Sequence, residues 1–231
     1  MQKLIIQEKD LANNPTRRIP ICLVLDTSYS MRATFPDGTR AIDELNAGVD
    51  QFLGALLGDE VAKYAAEVAV ISFNKEVKIL HQFGPLDEVR FKPLIATGAT
   101  KMGEAMTQAI DLVQARKKQY KDYGISYYQP WIVLMTDGAP TDDITLATEK
   151  VKKYVSKKKL MVYSIAIGPE AKLEALNSLS PGQSPKKLQG LKFRELFAWL
   201  SASVQRISQS MPGEVVDLSQ GISDWEELDL Y

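Results

Sequence analysis

A strand exposed on one face alternates apolar and polar residues, whereas a strand covered on both faces is apolar throughout. Runs of the second kind punctuate this chain: Ile21-Cys22-Leu23-Val24-Leu25, Val68-Ala69-Val70-Ile71-Ser72-Phe73, Trp131-Ile132-Val133-Leu134-Met135 and Leu160-Met161-Val162-Tyr163-Ser164-Ile165-Ala166-Ile167. They predict a central sheet buried between two layers. Val77-Lys78-Ile79-Leu80-His81 alternates instead, after the turn-like Asn74-Lys75-Glu76, and so predicts an antiparallel strand at the sheet edge.

The intervals carry helical periodicity. Ile42, Leu45, Val49, Phe52, Leu53, Leu56 and Leu57 fall on one stripe, as do Met102, Met106, Ala109, Ile110 and Val113, then Ile144, Ala147, Val151 and Val155, and finally Leu196, Phe197, Leu200, Val204 and Ile207. Strands alternating with helices give an α/β fold with a doubly wound, mostly parallel sheet, one antiparallel edge strand and helices on both faces. The chain of 231 residues is the size of one such domain. Three regions are expected: an N-terminal arm over 1–18, with Lys3-Leu4-Ile5-Ile6 its only packing part, a domain over 19–210, and an acidic tail over 211–231. Glu214, Asp217, Asp224, Glu226, Glu227 and Asp229 mark that tail, interspersed with Val215, Val216, Trp225 and Leu228, so it reads either as solvated or as a docking segment.

Composition narrows the chemistry. With 28 basic against 29 acidic residues there is no overall field to attract nucleic acid. One cysteine, Cys22, and one histidine, His81, exclude an intramolecular disulfide, a paired-cysteine zinc site and a paired-histidine metal motif. Cys22 is expected to be a buried, inert thiol, and His81 to lie at the edge strand without a catalytic role. No stretch resembles a signal peptide or reaches the ~18 apolar residues of a membrane-spanning helix, so the cytoplasm is the expected location.

Open α/β sheets bind ligands beyond the carboxyl ends of their strands, where the strand order reverses. The first run ends in Asp26-Thr27-Ser28-Tyr29-Ser30 and the third in Thr136-Asp137-Gly138. If these strands are neighbours, Asp26 and Asp137 face each other across the crevice. Thr100, in the glycine-containing segment Ala96–Gly103 before a helix, would stand beside them. Two carboxylates with neutral hydroxyls form an all-oxygen donor set suited to a hard cation, Mg²⁺ or Mn²⁺ before zinc. Taken singly, each residue also reads as a strand-end acid, a loop hydroxyl or a helix cap.

The three motifs in order, Asp26-x-Ser28-x-Ser30, Gly98-Ala99-Thr100-x-x-Gly103 and Thr136-Asp137-Gly138, resemble the metal-ion-dependent adhesion site of von Willebrand factor A domains. The resemblance covers residues 18–210 and implies that family's Rossmann-like fold. It also implies Ser28 and Ser30 as direct ligands of Mg²⁺, with Mn²⁺ or Ca²⁺ as the other candidate ions. By the same resemblance Thr100 binds directly or through water, and Asp26 and Asp137 act through bridging waters. Tyr29 departs from the pattern, since many relatives carry glycine there. Arg17-Arg18-Ile19-Pro20, Glu44-Leu45-Asn46-Ala47-Gly48 and Phe193–Leu200 further resemble bacterial TerY-type members associated with tellurite-resistance and stress gene clusters.

The implied function is a Mg²⁺-dependent protein-interaction module, not an enzyme, whose metal accepts an Asp or Glu from a partner protein. Two alternatives stand beside it. One is a magnesium-dependent phosphohydrolase with Asp26 as nucleophile, although Ser28 occupies the place of the second acid such chemistry uses. The other is an accessory subunit of a partner ATPase, kinase or phosphatase. No G-x-x-x-x-G-K-[ST] motif is present, so the chain is not itself a P-loop ATPase. Lys152, Lys153, Lys157, Lys158 and Lys159 read as a solvated helix end, and Tyr120, Tyr123, Tyr127 and Tyr128 as either packing or a partner-facing surface.

Overall fold

The computed structural model describes residues 14–34, 38–168, 171–188, 190, 192–210, 216, 218 and 220–222. Most of the expected N-terminal arm, including Lys3–Ile6, and the tail acids Glu214, Asp217, Asp224, Glu226, Glu227 and Asp229 lie outside these residues.

Six strands form one sheet: β1 (Ile19–Asp26), β2 (Ala66–Phe73), β3 (Val77–His81), β4 (Trp131–Thr136), β5 (Met161–Ile167) and β6 (Lys186–Leu188), in the order β3-β2-β1-β4-β5-β6. All neighbours are parallel except β2 and β3, which makes β3 the antiparallel edge strand the alternating sequence predicted. β6 has no counterpart among the runs read from the sequence: its three residues carry two lysines and almost no periodic signal.

The uninterrupted apolar runs are buried on both sides because alternate side chains enter different cores. Ile21, Leu23 and Leu25 of β1 point into a core shared with α1 (Ala41–Gly58), α2 (Ala62–Ala65) and α6 (Phe193–Gln209). Cys22 and Val24 point into the opposite core, with α3 (Met102–Asp122), α4 (Thr145–Val155) and α5 (Leu173–Leu179). Cys22 is fully buried, and burial pushes its thiol well above the ordinary range, consistent with an inert side chain.

Beyond the last helix, Val216, Leu218 and Ile222 pack against the first core, and the Trp199 indole N–H donates to the Leu218 carbonyl at 2.9 Å. Of the two readings of the C-terminal segment, docking on the domain's own surface holds for these residues. The tyrosine cluster is mostly packing: Tyr120 is fully buried, Tyr127 stacks on it with centroids 5.1 Å apart, and the Tyr128 hydroxyl donates to the Ser210 carbonyl, while Tyr123 is exposed. Among the described residues no helix is long and apolar enough to cross a membrane.

The topology fixes where a ligand sits. The chain runs from β1 outward through β2 to β3, then returns to the other side of β1 as β4, so the order reverses between β1 and β4. Their register pairs Leu25 with Met135, which brings Asp26 and Thr136 side by side at the carboxyl ends.

Candidate metal centre

Asp26 is the last residue of β1 and is fully buried. One carboxylate oxygen accepts the Ser28 backbone N–H at 2.7 Å, and the other accepts the Thr136 hydroxyl across the strand boundary. The first contact bends the chain after β1 into a tight turn, continued by a 3-10 turn over Tyr29–Arg32. Ser28 and Ser30 thereby turn their hydroxyls toward each other, 3.0 Å apart. The Ser30 hydroxyl stands 2.7 Å from an Asp137 carboxylate oxygen, to which it donates. Asp26, Ser28, Ser30 and Asp137 are thus one connected group.

Thr100 reaches this group on a separate loop, held by backbone hydrogen bonds to both of its neighbours. Thr97 N–H donates to the Thr27 carbonyl at 2.8 Å and Tyr29 N–H to the Gly98 carbonyl at 3.0 Å. On the other side, Thr100 exchanges two bonds with Thr141, whose N–H donates to the Thr100 carbonyl at 2.9 Å and whose hydroxyl accepts the Thr100 N–H at 3.1 Å. Gly98 adopts φ +77°, and a side chain there would also press on Lys75, so glycine is required for the loop to pass. A Cβ on Gly138 would lie 3.6 Å from the Thr100 hydroxyl, which places Thr100 against the loop carrying Asp137. All five predicted residues therefore meet at one end of the sheet.

The electrostatics of this group are unbalanced. Asp26 is pushed up to about 6, chiefly by burial, against the lowering effect of its bonds from Thr136 and Ser28 and with a further upward push from Asp137. Asp137 is also raised, again chiefly by burial, while the Ser30 hydroxyl lowers it. Among the described residues no cation pairs with either acid. Two desolvated carboxylates without a counter-charge are stabilised by any cation that reaches them. The donors are oxygens only, two carboxylates and three hydroxyls: among the described residues His81 lies out on β3 opposite Val70 and Cys22 in the core.

The supporting roles of three residues leave no signal in the sequence. Thr136 was read as part of a motif, but its bond to Asp26 depends on the β1–β4 register. Thr141 clasps Thr100, and Asp142 accepts the Gly103 and Glu104 N–H groups at 3.0 and 2.8 Å, capping α3 from a loop 38 residues further along the chain. Sequence signals for caps are local, so a cap supplied from so far away leaves none.

The family model described as von Willebrand factor type A domain matches residues 21–192. No curated protein matches the sequence. Among solved structures, proximal thread matrix protein 1 from the mussel byssus, with a zinc-occupied MIDAS motif, is similar at TM-score 0.57 and 14% identity, over 83% of this chain and 48% of that one. A von Willebrand factor type A protein from Catenulispora acidiphila gives TM-score 0.60 at 15% identity, over 82% and 43% of the two chains. The pilus adhesin SpaC from Lactobacillus rhamnosus GG gives TM-score 0.63 at 12% identity, over 84% and 32%. The chain spans about half the length of the mussel protein. At these identities the likeness is one of fold.

Proposed function

The chain belongs to the von Willebrand factor type A family, and from that premise we propose that it is a Mg²⁺-dependent protein-interaction module, with Ser28, Ser30, Thr100, Asp26 and Asp137 holding the metal. The observation that carries this reading is the convergence of the Ser28 and Ser30 hydroxyls and the Asp137 carboxylate beside the buried Asp26, with no cation paired to either acid among the described residues. Oxygens about 2.1 Å from an octahedral Mg²⁺ stand about 3.0 Å apart along an edge, so two hydroxyls already in hydrogen-bond contact are close enough to share one ion. Ser28 Oγ and Ser30 Oγ are 3.0 Å apart. The zinc in the mussel structure marks the same motif as a divalent site in that protein; here the hydroxyl-rich donor set favours a harder ion.

In this reading Ser28 and Ser30 bind directly, keeping their lone pairs for the ion while Ser30 continues to donate its proton to Asp137. Thr100 binds directly or through water, and Asp26 and Asp137 hold waters and neutralise charge from outside. A bound divalent ion supplies a Lewis-acidic position facing solvent, which a partner's Asp or Glu completes in a charge-assisted contact. Asp26, with both oxygens engaged and no surface exposed, is poorly placed to attack a phosphoryl group, which weighs against the phosphohydrolase alternative. We therefore assign the chain a binding role without catalysis. The resemblance to TerY-type proteins supports a bacterial, cytoplasmic setting in stress- or tellurite-resistance-type complexes, beside a partner kinase, phosphatase or ATPase.

The test is affinity capture from the native lysate with wild-type protein in Mg²⁺, wild-type protein in EDTA, and the folded Asp26→Ala/Ser28→Ala variant in Mg²⁺. Proteins retained only in the first condition are expected. Identical capture in all three would overturn the proposal.

A further inference from the structure

Two of the most exposed large apolar side chains flank the metal centre, and neither is exposed by fraying. Tyr29, 65% exposed, stands between the ligand candidates Ser28 and Ser30, on a turn anchored by the fully buried Met31. Ile95, 72% exposed, lies between the buried Leu94 and Ala96. Asn46 clamps the backbone of Leu94 from both sides, donating to its carbonyl at 3.0 Å and accepting its N–H at 2.8 Å. This clamp fixes the backbone from which Ile95 projects outward.

Arg32 ties the two together. Its Nε donates to the Ala96 carbonyl at 2.7 Å, next to Ile95, while its guanidinium carbon sits 5.1 Å from the centre of the Tyr29 ring. The stacking holds the Tyr29 ring against the loop that carries Ile95 and places a positive charge on the same side of the site. Lys75, exposed, packs against Gly98 with the exposed Glu76 next to it, so Arg32 is the cation that faces the Tyr29 ring. At the start of α3, Asp142 caps the helix beside the Lys101–Glu104 ion pair, and Asp143 is held below the usual carboxylate range by its bonds from Thr145.

We propose that Tyr29, Arg32 and Ile95 form a specificity ridge for a partner protein segment in which the metal-binding Asp or Glu has a bulky aliphatic or aromatic residue within two positions and a net negative charge. This rests on the metal-dependent binding proposed above and names the partner's chemistry. With the partner acid at the metal position, the Tyr29–Ile95 surface would remove the neighbouring apolar side chain from water, and Arg32 would favour negative charge beside it. A segment with its apolar residue replaced by lysine would meet a like charge where it needs an apolar contact.

The probe is a displayed library of twelve-residue peptides with a fixed central Glu, selected on the full chain in Mg²⁺ and in EDTA, with wild type and with Tyr29→Ser/Ile95→Ser. Amide-shift titration with MgCl₂ establishes that the variant takes up the metal as wild type does. Enrichment of apolar residues within two positions of Glu, dependent on Mg²⁺ and at least tenfold weaker on the variant, is the expected result. Magnesium-dependent enrichment without an apolar preference, or with the same preference on the variant, overturns the ridge and leaves the metal-dependent module standing. No magnesium-dependent enrichment by wild type overturns both.

Discussion

Thr136 illustrates how one hydroxyl sets the state of the centre. It donates to the buried Asp26, so Thr136→Val leaves a desolvated carboxylate oxygen without a partner at nearly unchanged volume. A loss of about 1–3 kcal/mol in stability is expected, read by chemical denaturation, together with weaker Mg²⁺ binding. Asp26 itself predicts a pH dependence whose sign follows from its elevation to about 6. In the metal-free protein the native state holds this proton more tightly than the unfolded chain does. The charged, buried form therefore costs stability above about pH 6, and the cost is relieved as pH falls through that value toward the ordinary carboxylate range. Metal-free wild type should accordingly gain stability from pH 7 to pH 5 relative to Asp26→Asn, and its Mg²⁺ affinity should decline over the same interval. A wild-type stability difference from Asp26→Asn that does not change with pH would contradict this account of the centre.

The elements that carry the site are positioned by close approaches that side chains would spoil. Gly103, in the first turn of α3, lies so near the 142–144 loop that an added Cβ would stand 2.2 Å from the Asp143 carbonyl oxygen. Gly103→Ala must displace that loop, and with it the Asp142 cap and the Thr141–Thr100 clasp. Mg²⁺ affinity should fall at least tenfold by calorimetric titration, with helix content unchanged by far-ultraviolet circular dichroism. On the far side, Gly48 of α1 faces Phe197 of α6, and a Cβ would meet that ring at 2.4 Å. Gly48→Ala is expected to cost about 1–3 kcal/mol in overpacking, partly offset by better helix propensity, while leaving metal binding intact. These glycines also show what was legible. The Gly98–Gly103 motif was readable as a loop entering a helix, because its spacing is local. That Gly103 meets Asp143, or Gly48 meets Phe197, belongs to packing between segments far apart in sequence and left no local mark.

At the scale of the whole molecule, uninterrupted apolar runs were enough to read the parallel sheet, and the alternation in 77–81 was enough to read its antiparallel edge. Their order was conditional on β1 and β4 being neighbours, which the structure shows. Asp26, Ser28, Ser30 and Asp137 are readable as neighbours because they stand at or just after the ends of β1 and β4, whereas Thr100, on the loop before α3, is readable only through its motif. The opposite end of the sheet was not legible. There Glu67 is buried among Arg18 and Arg116 and accepts the Tyr120 hydroxyl, with Arg116 bidentate at 2.6 and 2.7 Å. This network joins the segment before β1 to β2 and α3 through residues about 50 positions apart, and no spacing rule announces it. Glu67→Gln removes the carboxylate that Arg116 holds with two hydrogen bonds inside the protein, so a destabilisation of about 3–5 kcal/mol is expected with the metal centre unaffected. The central claim concerns that centre, and amide-shift titration of the metal-stripped full chain with MgCl₂ tests it most directly. Saturable shifts confined to 27–31, 97–102 and 137–139 in wild type, and absent in Ser28→Ala/Ser30→Ala, are the predicted result; no saturable shifts there, or the same shifts in the variant, would contradict it.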